Sequence, residues 1–103
     1  MIIITGSIKA RPQAFDELRR LSLEHVHRSR TEDGCLLHSV HVDVEDGLRL
    51  VFVEQWRDKA AVLKHFAQAG SQAFTEAVGR LAAARPTIEI LEATDIGVAG
   101  LRG

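Results

Sequence analysis

The sequence has no tyrosine and only one cysteine, one methionine, one tryptophan and two prolines among its 103 residues. A single cysteine, Cys35, excludes an intrachain disulfide framework and is typical of proteins from a reducing compartment. Thirteen basic residues stand against fourteen acidic ones, so the net charge is −1 at pH 7. Such a balance provides no field that gathers phosphates, and we expect no nucleic-acid partner.

Long apolar runs are also missing. The opening run Met1-Ile2-Ile3-Ile4 has no positive region before it and ends at Thr5, too soon for a signal sequence or a membrane span. We therefore expect a soluble cytoplasmic protein without membrane contact. Its length fits one domain, which we place at residues 1–94, followed by a loose tail at 95–103.

Hydrophobic periodicity, prolines and glycines divide the chain into strands and helices. The strands are predicted at 2–10, 35–43, 48–56 and 87–92, and the helices at about 12–30, 58–68 and 71–84. Asp58 and Ser71 are the predicted N-caps of the second and third helices. The order β-α-β-β-α(α)-β predicts a ferredoxin-like α+β fold, with a four-stranded antiparallel sheet and helices on one face.

The first helix has a buried stripe at three- and four-residue steps, predicted to comprise Phe15, Leu18, Ser22, Val26 and Ser29. His25 and His27 lie two residues apart on this helix and point in nearly opposite directions, so they cannot share one metal ion.

A hairpin is predicted between the second and third strands, because Asp46-Gly47 adopts the left-handed turn conformation at low cost. Side chains alternate across a strand, so closing this hairpin pairs even-numbered residues with one another. The predicted neighbours are Val40 with Phe52, His38 with Glu54, and Leu36 with Trp56.

The even-numbered side chains of the hairpin include its large aromatics, so we expect them to lie under the helices. The opposite face still contains Leu37, Val51 and Val53, which is too apolar for comfortable exposure to water. We therefore expect a homodimer that packs sheet against sheet.

Three polar groups are predicted to lie inside the core, namely His38, Glu54 and the indole of Trp56. The second helix adds His65 beside Val62 and Phe66. Together they predict an apolar pocket with a few convergent polar groups. A buried carboxylate requires a partner, and a histidine that titrates near neutrality can remove a weakly acidic proton.

Other interpretations of these residues stay open. Glu54 can have a purely structural role in which it accepts hydrogen bonds from backbone or helix-end N–H groups. Trp56 and His65 can be ordinary core residues. His38, His65 and Glu54 can be combined into a two-histidine, one-carboxylate metal site, but they form no recognised motif, and we expect no metal. Cys35 is expected to be a small buried residue. Phosphate-binding loops are absent, so no cofactor is expected.

Two stretches of the chain and one histidine resemble the antibiotic biosynthesis monooxygenase family, in particular its small quinol monooxygenases. They are S-R-T-E-D-G-C-L-L-H at 29–38, F-V-E-Q-W-R-D at 52–58, and His65. The resemblance implies a dimeric α/β barrel that oxygenates or oxidises small quinols or polycyclic phenols with O₂, without metal or prosthetic group. Position by position, it implies that His65 is the base or proton relay, Trp56 and Phe52 line the cavity, and Glu54 orients a polar group. We add His38, Val62 and Phe66 as candidate substrate contacts.

Two further functions fit the same residues. One is an isomerase or detoxifying enzyme that uses the pocket for proton transfer without O₂. The other is a non-catalytic dimeric module that binds a small molecule.

Overall fold

The computed structural model describes residues 1–103 and follows the predicted order of elements. Its strands are β1 (Ile2–Lys9), β2 (Cys35–Asp43), β3 (Asp46–Trp56) and β4 (Thr87–Glu92). Its helices are α1 (Phe15–Ser29), preceded by a 3₁₀ turn at Pro12–Ala14, then α2 (Lys59–Ala67), α3 (Ala69–Leu81) and the short α4 (Gly97–Gly100). The strands form one antiparallel sheet in the order β2-β3-β1-β4. This confirms the ferredoxin-like α+β fold, and no helix combines the length and apolar character needed to cross a bilayer.

The main core lies between the sheet and helices α1 and α3. It consists mostly of aliphatic side chains and is here called the aliphatic core: Ile8, Ala10, Ala14, Leu18, Val26, Leu50, Phe52, Ala77, Val78 and Leu81. A smaller group under α2 comprises Ile2, Ile4, Trp56, Ala61 and Val62. Several polar side chains are also buried, which is unusual in a domain of this size and directs attention to them: Ser22, His25, Ser29, His38, Glu54, His65 and Ser71.

The predicted register of the β2–β3 hairpin is correct over its centre and wrong at one end. His38 lies opposite Glu54, and Val40 lies opposite Phe52, as predicted. The pairing of Leu36 with Trp56 is wrong, because an irregularity between Cys35 and Leu37 places Cys35 opposite Trp56. A bulge of this kind turns the extra residue away from the ladder, and the Leu36 side chain is 58% exposed.

The hairpin turn differs from the predicted one. Val44 and Glu45 form the turn, whereas Gly47 lies within β3 and has no positive φ. The Asp43 carboxylate accepts a hydrogen bond from the Glu45 backbone N–H at 2.9 Å, as an aspartate commonly does in a turn. The prediction of a left-handed Asp46-Gly47 turn is therefore wrong, although the two strands it connects are correct.

The start of α2 is formed as predicted, with Asp58 accepting a hydrogen bond from the Ala61 N–H at 2.9 Å. The loop residue next to the start of this helix, Gly34, has to be a glycine. Its φ is +84°, and a Cβ atom there would lie 2.5 Å from the Ala61 Cβ. Glycine therefore lets the loop before β2 pass close to the helix that carries His65.

The N-cap predicted for the third helix is wrong. Gln68 occupies the cap position of α3, while Ser71 lies inside the helix and is buried. The Ser71 hydroxyl instead lies 3.4 Å from Nδ1 of His65. The helix also ends at Leu81, three residues before the predicted Ala84.

The helices leave part of the sheet uncovered. On the face away from the helices, Val51 and Val53 are half-buried, while Leu37 and Leu91 are exposed. On the helix side, β4 extends beyond the helices, and every one of its residues is exposed. Between β4 and the helices a cavity remains, and it reaches the buried polar residues.

Candidate functional site

Four of the predicted site residues meet beneath α2: His38, Glu54, Trp56 and His65. The Trp56 indole N–H donates a hydrogen bond to Glu54 Oε1 at 2.9 Å. His38 Nε2 lies 3.3 Å from the same oxygen, and His65 Nε2 lies 4.0 Å from it. The hairpin register and the position of α2 therefore bring an acid, an indole and two imidazoles together, as the sequence predicts.

His65 has an acidic partner that the sequence analysis did not select. Its Nδ1 lies 2.8 Å from Glu32 Oε1, in the loop between α1 and β2. Because a carboxylate accepts hydrogen bonds, Nδ1 donates to Glu32 and the ring of His65 is held with Nε2 towards Glu54. Glu32 belongs to the S-R-T-E-D-G-C stretch that carries the family resemblance, and this was the only signal that could have identified it.

His25 is the functional candidate that the sequence analysis missed. It is buried on α1, with its ring centroid 5.3 Å from that of His38 and 5.2 Å from that of His65. The ring stacks on Phe74 at 4.3 Å. Its place next to Val26 on the buried side of α1 was a usable signal, whereas His27 is exposed. We call His25, His38 and His65 the histidine cluster.

Burial and charge set the protonation of two groups at this site. Burial, followed by the charges of His38 and His65, lowers the pKa of His25 from 6.5 to about 3. Burial alone would raise the pKa of Glu54, but the imidazole of His38 and the indole N–H of Trp56 outweigh it and lower that pKa. At neutral pH, His25 is therefore an uncharged imidazole and Glu54 is a carboxylate.

A cavity of ≈ 230 Å³ opens beside the cluster, between β1, β4 and the helices. Its wall is mainly apolar and contains no lysine or arginine: Ile4, Gly6, Ser7, Ile8, His25, Phe52, Glu54, Phe74, Thr75, Val78, Pro86, Thr87 and Ile88. A wall without a basic residue does not suit a cofactor bound through phosphates.

The predicted site residues are thus divided by the structure. Glu54 and Phe52 line the cavity, whereas His38, Trp56 and His65 lie behind them and do not reach its wall. Val62 and Phe66 line a separate groove of ≈ 390 Å³ between α2 and β4. One ring nitrogen from each of the three imidazoles of the cluster lies within 4.8 Å of the other two.

The comparisons with known proteins agree with this fold. The antibiotic biosynthesis monooxygenase family model matches residues 1–77. A Deinococcus radiodurans structure, described provisionally as such a monooxygenase, superposes with a TM-score of 0.88 at 28% identity, covering 92% of this chain and 94% of that one.

Two proteins are similar in sequence. YcnE of Bacillus subtilis, named provisionally as a monooxygenase, is 30% identical over 74 residues, which are 72% of this chain and 78% of YcnE. The uncharacterised protein sll1783 of Synechocystis is 35% identical over 65 residues, which are 63% of this chain. The match spans only 44% of the length of sll1783. The family model, matching about three quarters of the chain, assigns this protein to the antibiotic biosynthesis monooxygenase family.

Proposed function

We propose that this protein uses O₂ to oxidise or oxygenate a small quinol or polycyclic phenol, without metal or prosthetic group. One observation carries the proposal: Glu54, a buried carboxylate, lines an apolar cavity and directly adjoins the histidine cluster. Proton acceptors beside an apolar cavity are what is needed to turn a phenol into an electron-rich anion.

The substrate class follows from the cavity wall. At ≈ 230 Å³ the cavity is smaller than the ~300–1,000 Å³ of many ligand pockets, so we expect only a few fused rings to fit. Phe52 and Phe74 offer aromatic contacts. An anionic substrate is disfavoured because Glu54 is ionised and no basic residue lines the wall.

The proton is proposed to pass from the phenol towards His65. A hydroxyl in the cavity can donate a hydrogen bond to Glu54, and Glu54 Oε1 lies 4.0 Å from His65 Nε2. The Glu32 carboxylate on the other side of His65 stabilises the imidazolium that results. His65 thus acts as the base through Glu54, because it does not itself reach the cavity.

The electrons come from the substrate. A quinol that gives two electrons and two protons to O₂ becomes a quinone, and the O₂ becomes H₂O₂. In a polycyclic phenol with an activated CH₂ group, one oxygen atom forms the new carbonyl and the other leaves as water, so the substrate supplies all four electrons. Neither reaction needs an external reductant, and removal of the phenolic proton by the protein precedes both.

The test is oxygen uptake by chelator-treated protein supplied with reduced naphthoquinones and with CH₂-containing polycyclic phenols. We expect quinone or carbonyl formation in proportion to O₂ consumed, and a rate loss of about 10²–10⁴-fold in His65→Ala and in Glu54→Gln. His27→Ala is the matched control, because His27 is an exposed histidine on α1.

The other functions predict different results. Turnover that continues without oxygen would indicate the isomerase, and saturable binding without turnover would indicate the non-catalytic module. Full activity in His65→Ala would contradict the assignment of the base.

We also propose that two copies pair through the open face of the sheet. Val51, Val53, Leu37 and Leu91 form an apolar surface there that no element of the chain covers. Light scattering at micromolar concentration should give the mass of a dimer, and Val53→Glu should shift it towards the monomer. Val44→Glu is the control, because Val44 is 100% exposed in the hairpin turn. A monomer in the unmodified protein would contradict the proposal.

A further inference from the structure

We infer that His25, His38 and His65, together with the Glu54 carboxylate, form a binding site for a divalent transition-metal ion such as Zn²⁺ or Co²⁺. Three imidazoles and a carboxylate are the donor set that these ions prefer. The inference does not depend on the proposed oxidation, since it concerns binding in the absence of any substrate.

His38 provides the most direct observation. Its side chain is completely buried, and neither ring nitrogen has a hydrogen-bond partner. Nε2 lies 3.3 Å from Glu54 Oε1, which is an ion-pair contact without the alignment of a hydrogen bond, and Nδ1 has no hydrogen-bond partner. A buried polar group without a hydrogen-bond partner has an uncompensated desolvation cost. A metal ion between His38 and its neighbours would remove that cost.

The centroids of the three rings lie close to the distances found in a tetrahedral site, although their nitrogens lie farther apart. Their centroids are 5.2, 5.3 and 5.6 Å apart. With metal–nitrogen bonds of about 2.0–2.1 Å, tetrahedral imidazoles have centroids about 5 Å apart and ligating nitrogens about 3.4 Å apart. The ligand atoms lie within 4.8 Å of one another, so each nitrogen has to move inward by about 1 Å.

The surroundings suit a cation. Glu54 brings a buried negative charge, and its Oε1 is within 4.0 Å of both His38 Nε2 and His65 Nε2. Glu32 accepts from the opposite nitrogen of His65, the arrangement that orients and polarises histidine ligands in metal sites. The cavity reaches His25 and Glu54 and provides access for the ion.

Arg28 is the group that opposes binding. Its Nη2 lies 2.6 Å from His25 Nδ1, so Nδ1 accepts this hydrogen bond and the proton of the neutral ring sits on Nε2. To ligate a metal through Nε2, His25 must shift that proton to Nδ1, and the guanidinium must move away. Arg28 therefore competes with the metal for His25 and also repels it by charge.

Metal binding and the proposed oxidation should exclude each other. An imidazole whose lone pair binds a metal cannot accept a substrate proton, so Zn²⁺ is expected to slow the metal-free reaction. Binding itself is measured without substrate, so the two proposals can fail separately.

The test uses Trp56, the only tryptophan, as a built-in reporter. Its ring lies 6.1 Å from that of His38 and 4.5 Å from that of His65. Co²⁺ added to chelator-treated protein should quench its fluorescence saturably with one ion per chain. The visible absorption should be that of tetrahedral Co²⁺, and Zn²⁺ should reverse both signals.

Four variants locate the ion. His25→Phe and His38→Gln should each weaken Co²⁺ binding at least about a hundredfold, since loss of a ligand exceeds the effect of losing an outer partner. The double variant His27→Ala/His41→Ala removes the other two histidines and should bind as the unmodified chain does. Arg28→Met should tighten binding by on the order of tenfold.

Three results would overturn the inference: no saturable quenching in the unmodified protein, quenching lost in the His27→Ala/His41→Ala chain, or unchanged Co²⁺ affinity in folded His25→Phe and His38→Gln. Should His25→Phe or His38→Gln fail to fold, as judged by circular dichroism, Arg28→Met decides. Unchanged or weaker Co²⁺ binding in that variant rules out His25 as a ligand.

Discussion

The interface between the sheet and the helices is filled in two different ways. In the aliphatic core, residues such as Leu18, Leu50 and Val78 fill the space between α1, α3 and the sheet. Under α2, the interior instead holds the histidine cluster and Glu54. The two regions belong to the same layer. The aliphatic side chains of the first are stabilised simply by leaving water, whereas the imidazoles and the carboxylate of the second need hydrogen-bond or ion-pair partners when buried.

The two regions therefore contribute differently: the aliphatic core stabilises the fold, and the histidine cluster provides the groups that can exchange protons. Each buried aliphatic side chain contributes about 1.5–3 kcal/mol through the hydrophobic effect. Buried imidazoles and carboxylates give much less, because their desolvation offsets their mutual attraction. The aliphatic core therefore stabilises a fold in which the histidine cluster can remain only partly satisfied, and such sites are where function is expected.

The largest effect on stability is expected in the aliphatic core. Leu50 is 2% exposed in the middle of β3, and Leu50→Ala should lower the free energy of unfolding by about 2–5 kcal/mol, since it removes buried methyl groups and leaves a cavity. Urea denaturation measures this. Leu63→Ala is the control, because Leu63 is 68% exposed on α2 and should change stability by less than about 0.5 kcal/mol.

An intermediate effect is expected from acid on the metal-free protein. The pKa of His25 is lowered to about 3 in the fold, so between pH 6.5 and 3 the unfolded chain binds a proton that the folded chain does not. The contribution of His25 to stability is complete above pH 6.5 and is lost at about 1.4 kcal/mol per pH unit below it. From pH 7 to pH 5 the loss should be about 2 kcal/mol.

This loss of stability is measured by urea denaturation at several pH values, with a chelator in the buffer to keep the protein free of metal. His25→Phe keeps an aromatic ring against Phe74 and should flatten the pH dependence between 7 and 5, whereas His27→Ala should leave it unchanged. Glu54, whose pKa is lowered, stabilises the fold above its ordinary pKa of 4.5 and loses that contribution only at lower pH. A slope unchanged by His25→Phe would show that another group titrates.

The smallest effect concerns the helix that covers the histidine cluster. Helix α2 has nine residues and buries only Ala61, Val62 and His65, so its N-cap is an important part of its stability. Asp58→Ala should cost about 0.5–2 kcal/mol, and Asp58→Asn should restore most of it because asparagine also caps. Thermal unfolding followed by circular dichroism measures both. Equal losses in the two variants would attribute the effect to the ion pair of Asp58 with Arg57.

Local patterns were enough to predict the strands and the pairing of His38 with Glu54. Alternation has a period of two, so a register error of one residue would have moved every apolar side chain of the hairpin to the wrong face. The turn was predicted at the wrong residues because Asp43 provides a side-chain hydrogen bond that a search for Asp-Gly does not detect. The position of Leu36 was wrong because a bulge leaves no mark in an alternating pattern.

The cavity and the third histidine could not be predicted in this way. Periodicity shows that the buried side of α1 includes the position of His25, but not which residues of β2 and α2 lie across from it. Its proximity to His38 and His65 depends on how α1 crosses the sheet, which is decided by packing between side chains distant in sequence.

The sequence by itself determined the order of the elements, the face of the hairpin that is buried and the meeting of His38 with Glu54, because these depend on neighbours along one strand or one turn. Only the tertiary structure decided that His25 joins the cluster, that His65 lies behind the cavity wall and that β4 leaves an opening. These features depend on the relative placement of separate elements, and that placement is the result of packing the whole domain.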